Sequence, residues 1–347
     1  MNYILKKLDN SQYDAFLEET GYAEPLEQST RWDNFDLVCE DREPYGKFIF
    51  MAEAANERKP LAICSFTKFR GRGFTYLWAK KGPVWLDGNP SAELEEAFLG
   101  ALRGYLRKHL SECVFVRLHC WHKRDDLHEL LQTVTYDRTV VIDLRPSEEE
   151  ILASMKKRGR RSIKNAARNT GISIEEESVN NLEEFEKYYE ILQYTAARDE
   201  FRANDIKNYW NMLSSLGEKT GRLFVAKLDG APIAWTIVLT YKKQSAAYYG
   251  ATSEEGRKLG VTALLDWEIC RFLKAEGIES YDLMGIDSER APQLAGVTEY
   301  KTKFSKDIVE LAGAWDYPIW PMRYRLLVAA LKVKRKAVSR IRKLRSA

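Results

Sequence analysis

The chain has 347 residues, 45% hydrophobic and 30% charged, a length and balance that predict an ordered protein of two domains. No apolar run approaches the ~18 residues of a membrane span. The opening MNYILKKLDNSQYD lacks the apolar core of a signal peptide, and five irregularly spaced cysteines (Cys39, Cys64, Cys113, Cys120, Cys270) argue against a disulfide scaffold and for a reducing cytoplasm. The net charge of +3 hides a polarity: from Pro321 onward there are ten Lys or Arg and no acid, so the residues before it carry a formal −7.

In chain order, KFIFMAEAANERKPLAICSF reads as a hairpin and FTYLWAKKGPV as a strand. Leu94, Ala97, Phe98, Ala101, Leu102 and Leu106 recur at helical spacing, and CVFVRL returns as a strand. Cys113, His119, Cys120, His122 and His128 lie near one another, but no C-x2-C pair is present. The alternation from Cys113 to Leu118 reads as core strand, and no metal site is expected. The linker SMKKRGRRSIKNAARNTG then places Lys156, Lys157, Arg158, Arg160, Arg161, Lys164 and Arg168 within thirteen positions. It is either a solvated face or an anion-binding one, suited to polyphosphate or an RNA backbone, with Arg158, Arg161 and Arg168 on one side of a helix.

The second half repeats the plan. RLFVAKLDGAPIAWTIVL is a hairpin turning at Asp229-Gly230, and AAYYGA is a strand ending at Gly250. Val261, Leu264, Leu265, Ile269, Phe272 and Leu273 mark a helix stopped by Gly277, and SYDLMG is the next strand. Equivalent points (Ala62 and Ala234, Gly82 and Gly250, Cys113 and Ser280) lie 167 to 172 residues apart. A tandem α/β duplication follows. Domains are expected at 1–145 and 146–319, with a basic helix over 320–347. Its Leu326, Leu327, Ala330, Leu331 and Val338 form an apolar face, and Lys332, Arg335, Lys336, Arg342 and Lys343 supply the charge. That tail suits anionic lipid or tRNA phosphates. RKLGVT, at Arg257 to Thr262, is similar to the R-x-x-G-x-G/A loop with which N-acetyltransferases hold coenzyme A pyrophosphate, with Thr262 in place of the last small residue. In GVTEYKTKFSKD, read as a strand, Tyr300, Thr302 and Phe304 share one face, and Lys301 and Lys303 the other.

Seven stretches in order resemble the FemABX peptidyltransferases. Gln28, Ser29 and Trp32 match Q-S-x-x-W, and Gly82-Pro83 match G-P-V. RRSIKNAARNTGISI matches R-x-x-I-x-x-A, and Tyr189, Thr195 and Arg198 fall in YYEILQYTAARDEF. Tyr249 lies in YYGATSE, ALLDWEICRFLKAEGIESYDLMGI follows, and the last match is GVTEYKTKFSKD. The chain departs from the family at Tyr300, where Phe is usual, at Ser305-Lys306 in place of Gly-Gly, and at Asp36, near where some members present a lysine. It has no coiled-coil arm between Ile151 and Tyr189.

The resemblance implies two acyl-CoA N-acyltransferase (GNAT)-like domains, each a mixed sheet flanked by helices. It implies aminoacyl-tRNA as donor in place of coenzyme A, no bound cofactor, and a UDP-linked or lipid-linked peptidoglycan precursor as acceptor. The implied catalytic residues are Lys301, stabilising the oxyanion, and Tyr249. Arg198, Trp32, Tyr300, Lys303, Asp87 and Phe304 are implied to contact substrate, with Arg198 on phosphate. Asp282 is a further candidate for positioning the amine, and Arg158, Arg161, Lys164 and Arg168 would meet tRNA. Two alternatives stand beside this reading: a coenzyme A-dependent N-acyltransferase and a non-catalytic RNA- or envelope-binding protein.

Overall fold

The computed structural model describes residues 2–54, 57–71, 73–131 and 135–345, with side chains described as far as Arg335. The chain divides into two units, Met1–Val134 with Ala312–Ala347, and Thr135–Leu311.

The first unit opens with β1 (Asn2–Leu8), α1 (Asn10–Thr20) and α2 (Arg31–Leu37). Asp9 and Gln12 bond reciprocally to start α1. The first hairpin is β2 (Arg42–Ala54) and β3 (Glu57–Gly71), followed by β4 (Phe74–Trp78), β5 (Val84–Trp85), α3 (Ala92–His109) and β6 (Cys113–Cys120). β4 and β6 pair in parallel, which requires a crossover, and α3 supplies it. Phe98, Leu102 and Leu106, at the predicted helical spacing, are buried against the sheet with Phe48, Phe66 and Val116.

The second unit runs β7 (Arg138–Asp143), α4 (Glu148–Ser154), α5 (Lys157–Ala166), β8 (Ile172–Glu177), α6 (Leu182–Arg198), α7 (Ile206–Leu216), β9 (Gly221–Leu228), β10 (Ala231–Tyr241) and β11 (Gln244–Thr252). It continues with α8 (Glu254–Leu259), α9 (Val261–Ala275), β12 (Ser280–Gly285), α10 (Ala295–Lys301) and β13 (Ile308–Glu310). The β9–β10 turn places Asp229 and Gly230 at φ 48° and 85°, the left-handed pair that matches strand twist in a two-residue hairpin. The sheet order is β13-β7-β12-β11-β10-β9-β8, and α9 carries the crossover between parallel β11 and β12. Val261, Leu264, Leu265, Ile269 and Leu273 of that helix are buried with Phe224, Val238 and Tyr281.

The chain then returns to the first unit through β14 (Gly313–Pro318), antiparallel to β6, and ends in α11 (Pro321–Arg345). These units differ from the 1–145 and 146–319 division at both joins. β7 pairs with β12 and β13, and β14 pairs with β6. Ladder partners far along the chain decide membership, and the order of motifs does not reveal them.

One element differs from its predicted type. GVTEYKTKFSKD is not a strand: α10 covers its first half, and Lys303 and Phe304 close turns onto Tyr300 and Lys301. Thr298 Oγ1 donates to Asp287 Oδ1 at 2.6 Å and accepts from Asp287 N at 2.9 Å, which anchors the helix. Tyr300 and Phe304 are four residues apart, a spacing that period two and period 3.6 both accommodate. Their rings meet edge-on at 5.2 Å, as helical neighbours can.

Candidate functional site

Both parallel strand pairs begin as ladders and then differ. In the first unit the β4–β6 pairing is continued past Trp78 by Ala79 N donating to Arg117 O at 2.8 Å, and by His119 N donating to Gly82 O at 2.8 Å. In the second unit the β11–β12 ladder stops at Ala246 opposite Asp282, although both strands run on. The sheet is therefore forked there, with Tyr248, Tyr249 and Gly250 along one prong and Met284 and Gly285 along the other.

Each prong carries an irregularity at this point. On β11, Val238 pairs with Ala247 and Ile237 with Tyr249, so Tyr248 is an inserted bulge residue. On β12 the register against β7 shifts between Asp282 and Gly285, and Met284 sits at φ 66°. A left-handed methionine costs on the order of 1–3 kcal/mol and persists only where its surroundings hold it. Here the Asp282 carboxylate does so, accepting from Met284 N at 2.7 Å and from Thr139 Oγ1.

The bulge leaves the Gly285 carbonyl to accept from Lys301 Nζ at 2.7 Å. Burial lowers the Lys301 ammonium to about 8, although Asp282 and Asp266 pull the other way. Asp266, on α9, is buried and accepts from Tyr300 Oη at 2.6 Å and Tyr281 Oη at 3.5 Å. Burial pushes its carboxyl up to about 6, against the Tyr300 hydrogen bond and the Lys301 charge. Phe304 is fully buried beside Tyr300. Tyr300, Lys301 and Phe304 thus lie together in one cluster with Asp266 and Asp282.

Asp266 gives a stability prediction with a definite sign. Its folded value is raised, so the folded chain keeps a proton that the unfolded chain has lost between pH ~4 and ~6. The associated stability is complete below that window and is lost as pH rises through about 6, a difference of roughly 3 kcal/mol at most. Urea unfolding of Asp266→Asn at pH 4 and 6.5 is expected to lack this fall. An unchanged pH dependence would refute it.

The basic helix adjoins this cluster. Lys156 N donates to Lys303 O at 3.0 Å, and Arg158 pairs with Glu299 of α10. Ile163 and Ala166 are buried, while Arg161, Lys164 and Arg168 are exposed. Arg158 is therefore turned toward α10, Lys157 joins Arg161 and Lys164 at 4-3 spacing on the exposed face, and exposed Arg168 lies in the turn just past the helix. At Gly159 an added Cβ would lie 2.6 Å from the Lys303 carbonyl oxygen. Gly159→Ala is expected to destabilise the second unit by about 1–3 kcal/mol in urea unfolding. An equally stable variant would show that α5 is not seated there.

Other expected site residues lie elsewhere. Tyr249 packs edge-on against Tyr209 at 4.8 Å, and Thr195 Oγ1 ties α6 to β11 through Thr252 O at 3.0 Å. Arg198 ends α6 with its fork on Asp199, at 2.8 and 2.7 Å, while its Nη1 is buried without a hydrogen-bond partner. The Nε–Nη2 edge of the guanidinium is therefore occupied by Asp199 and is not presented as a fork to a phosphate. Lys303 holds its ammonium 5.2 Å from the Tyr300 ring centre. Asp87 pairs with exposed Lys59 at 2.7 Å, a solvated ion pair of small consequence.

In the first unit Trp32 is 1% exposed and packs edge-on against Phe35. Lys80 Nζ lies 4.9 Å from the Trp32 ring and 5.0 Å from Trp78, and burial lowers it to about 8. Asp36 is buried between Arg42 Nε at 2.9 Å and Thr67 Oγ1 at 2.5 Å. Gln28 spans Ser65 and Lys80, accepting from Ser65 N at 2.7 Å and donating to Lys80 O at 2.6 Å. Sequence reading missed Lys80 and Asp266 as site residues. Asp266 carried a usable signal, a carboxylate amid the apolar run Leu264, Leu265, Trp267 and Ile269. Lys80 carried none, because flanking residues do not foretell a ring closing over it from α2.

Comparisons with known proteins bear on the fold. Residues 153–302, spanning the fork, α5 and Lys301, match a family model described as an acetyltransferase (GNAT) domain. No curated protein sequence matches the chain. Among solved structures, FemX is similar over 94% of this chain and 100% of its own, with a TM-score of 0.70 and 14% identity. A tandem GNAT protein from the clavulanic acid biosynthesis pathway is similar over 92% of this chain and 99% of its own, at TM-score 0.53 and 10% identity. The fold is therefore a pair of GNAT-like domains.

Proposed function

We propose that this chain, which has the tandem acetyltransferase fold of FemX, transfers an aminoacyl group from aminoacyl-tRNA to an amine on the stem peptide of a peptidoglycan precursor. The observation that carries the reading is the Lys301 ammonium held on the Gly285 carbonyl at the β11–β12 fork, with α5 tied to α10 through Arg158 and Glu299. The acceptor amine attacks the ester carbonyl carbon, forming the C–N bond and moving an electron pair onto the carbonyl oxygen. The Lys301 ammonium, one of whose three N–H groups serves Gly285, stabilises that oxyanion. Collapse breaks the ester C–O bond, and the proton lost by the amine goes to the departing ribose oxygen. The ester is already activated, so orientation supplies most of what remains. Tyr249 on the opposite prong hydrogen-bonds substrate, and Lys303 contacts it beside Tyr300.

The test is transfer from defined aminoacyl-tRNAs to UDP-linked and lipid-linked precursor, with acetyl-CoA as rival donor. Gain of an amino-acid residue by either precursor is the expected result. Movement of an acetyl group with no aminoacyl transfer would overturn it. That second reading, a coenzyme A-dependent N-acyltransferase, draws on RKLGVT. There Gly260, at φ 67°, ends α8 and opens α9 with no side chain capping its first turn, leaving backbone N–H groups for an anion.

A further inference from the structure

We infer that α11 is a docking surface for an anionic lipid bilayer, independently of the reaction above. One face of the helix is committed to the first unit: Tyr324 is buried with Val114 and Phe115, Leu327 and Val328 pack against them, and Arg323 Nη1 donates to Ser111 O at 2.8 Å. The opposite face is apolar and uncovered. Met322, Leu326 and Val333 are 68%, 69% and 68% exposed, and exposed Ala329 and Ala330 fill the line between them. Their spacing of four and seven residues sets them in one stripe along the helix. In the sequence the same spacing continues at Ala337 and Leu344.

Exposed basic residues border the stripe on both sides, Arg325 and Lys332 along one edge and Lys334 along the other. Long basic side chains in this position reach lipid phosphates while the stripe enters the acyl boundary. The charge polarity of the chain fits the same occupant. A tail with ten Lys or Arg and no acid, on a body of formal charge −7, turns this end of the molecule toward an anionic surface. A second copy of the helix is a poor occupant, because two such stripes would bring like charges together. RNA leaves Met322, Leu326 and Val333 without a role. The helix lies on the surface and does not span it: no helix among the described residues is long and apolar enough to cross a membrane.

Co-sedimentation of the full chain with vesicles of roughly one-third phosphatidylglycerol in phosphatidylcholine tests this. Binding is expected to the mixed vesicles and not to phosphatidylcholine alone. Leu326→Glu with Val333→Glu is expected to weaken it by about tenfold or more, and Arg325→Gln with Lys332→Gln by about tenfold. All four side chains are exposed, and unchanged urea unfolding of both variants confirms that they fold. No binding to mixed vesicles overturns the inference. So does equal binding by the Leu326/Val333 variant, or a dimer that this variant dissociates. Retained tRNA affinity in that variant beside lost vesicle binding assigns the stripe to lipid, whereas parallel loss of both overturns it.

Discussion

Lys301→Ala is expected to lower aminoacyl transfer by about 10²–10³-fold while leaving the chain folded. Removing one preorganised donor from a developing oxyanion costs on that order. The stability cost is the single hydrogen bond to Gly285 O, about 1 kcal/mol. The pH profile separates this role from a merely structural one. Lys301 is lowered to about 8, so its charged fraction falls as pH rises through that value, and kcat/KM is expected to fall with it. The acceptor amine acts in the opposite sense, because it becomes nucleophilic only as it loses its proton. Lys301→Arg keeps a charge throughout this range and is expected to lose the alkaline limb while retaining part of the activity. An alkaline limb near 8 that survives in Lys301→Arg, or full activity in Lys301→Ala, would refute the assignment.

The second large effect is expected on the exposed basic surface of α5 and the turn after it. Replacing Arg161, Lys164 and Arg168 together by Gln is expected to weaken tRNA binding by about 10- to 100-fold at ~0.1 M salt. The slope of log K against log salt should fall by about 2 to 3, as three phosphate contacts are lost. These side chains are exposed and make no core contact, so thermal unfolding should be little changed. Arg158→Gln is expected to behave differently, since Arg158 is engaged with Glu299. An unaltered salt slope in the triple variant would assign the face to solvent.

Much of the architecture was legible because period and punctuation carry it. Asp229-Gly230, the apolar series on α3 and α9, and the repeat of about 170 residues each state a local geometry that the chain adopts. GVTEYKTKFSKD was not legible, because Tyr300 and Phe304 at a spacing of four satisfy both periodicities. The domain joins were hidden because β7 and β14 are assigned by partners distant in sequence.

At the site, residue order alone states which groups are present: an unbalanced basic helix, a lysine between aromatics, and a carboxylate on an apolar helix face. It also states the charge polarity between body and tail. Which lysine is distinctive follows from the folded chain. Lys301 and Lys303 have nearly the same neighbours in sequence, yet Lys301 ends α10 on the Gly285 carbonyl, whereas Lys303 lies over the Tyr300 ring. The cause is the β12 bulge, which takes that carbonyl out of the ladder and joins strand, helix and ammonium across residues remote along the chain.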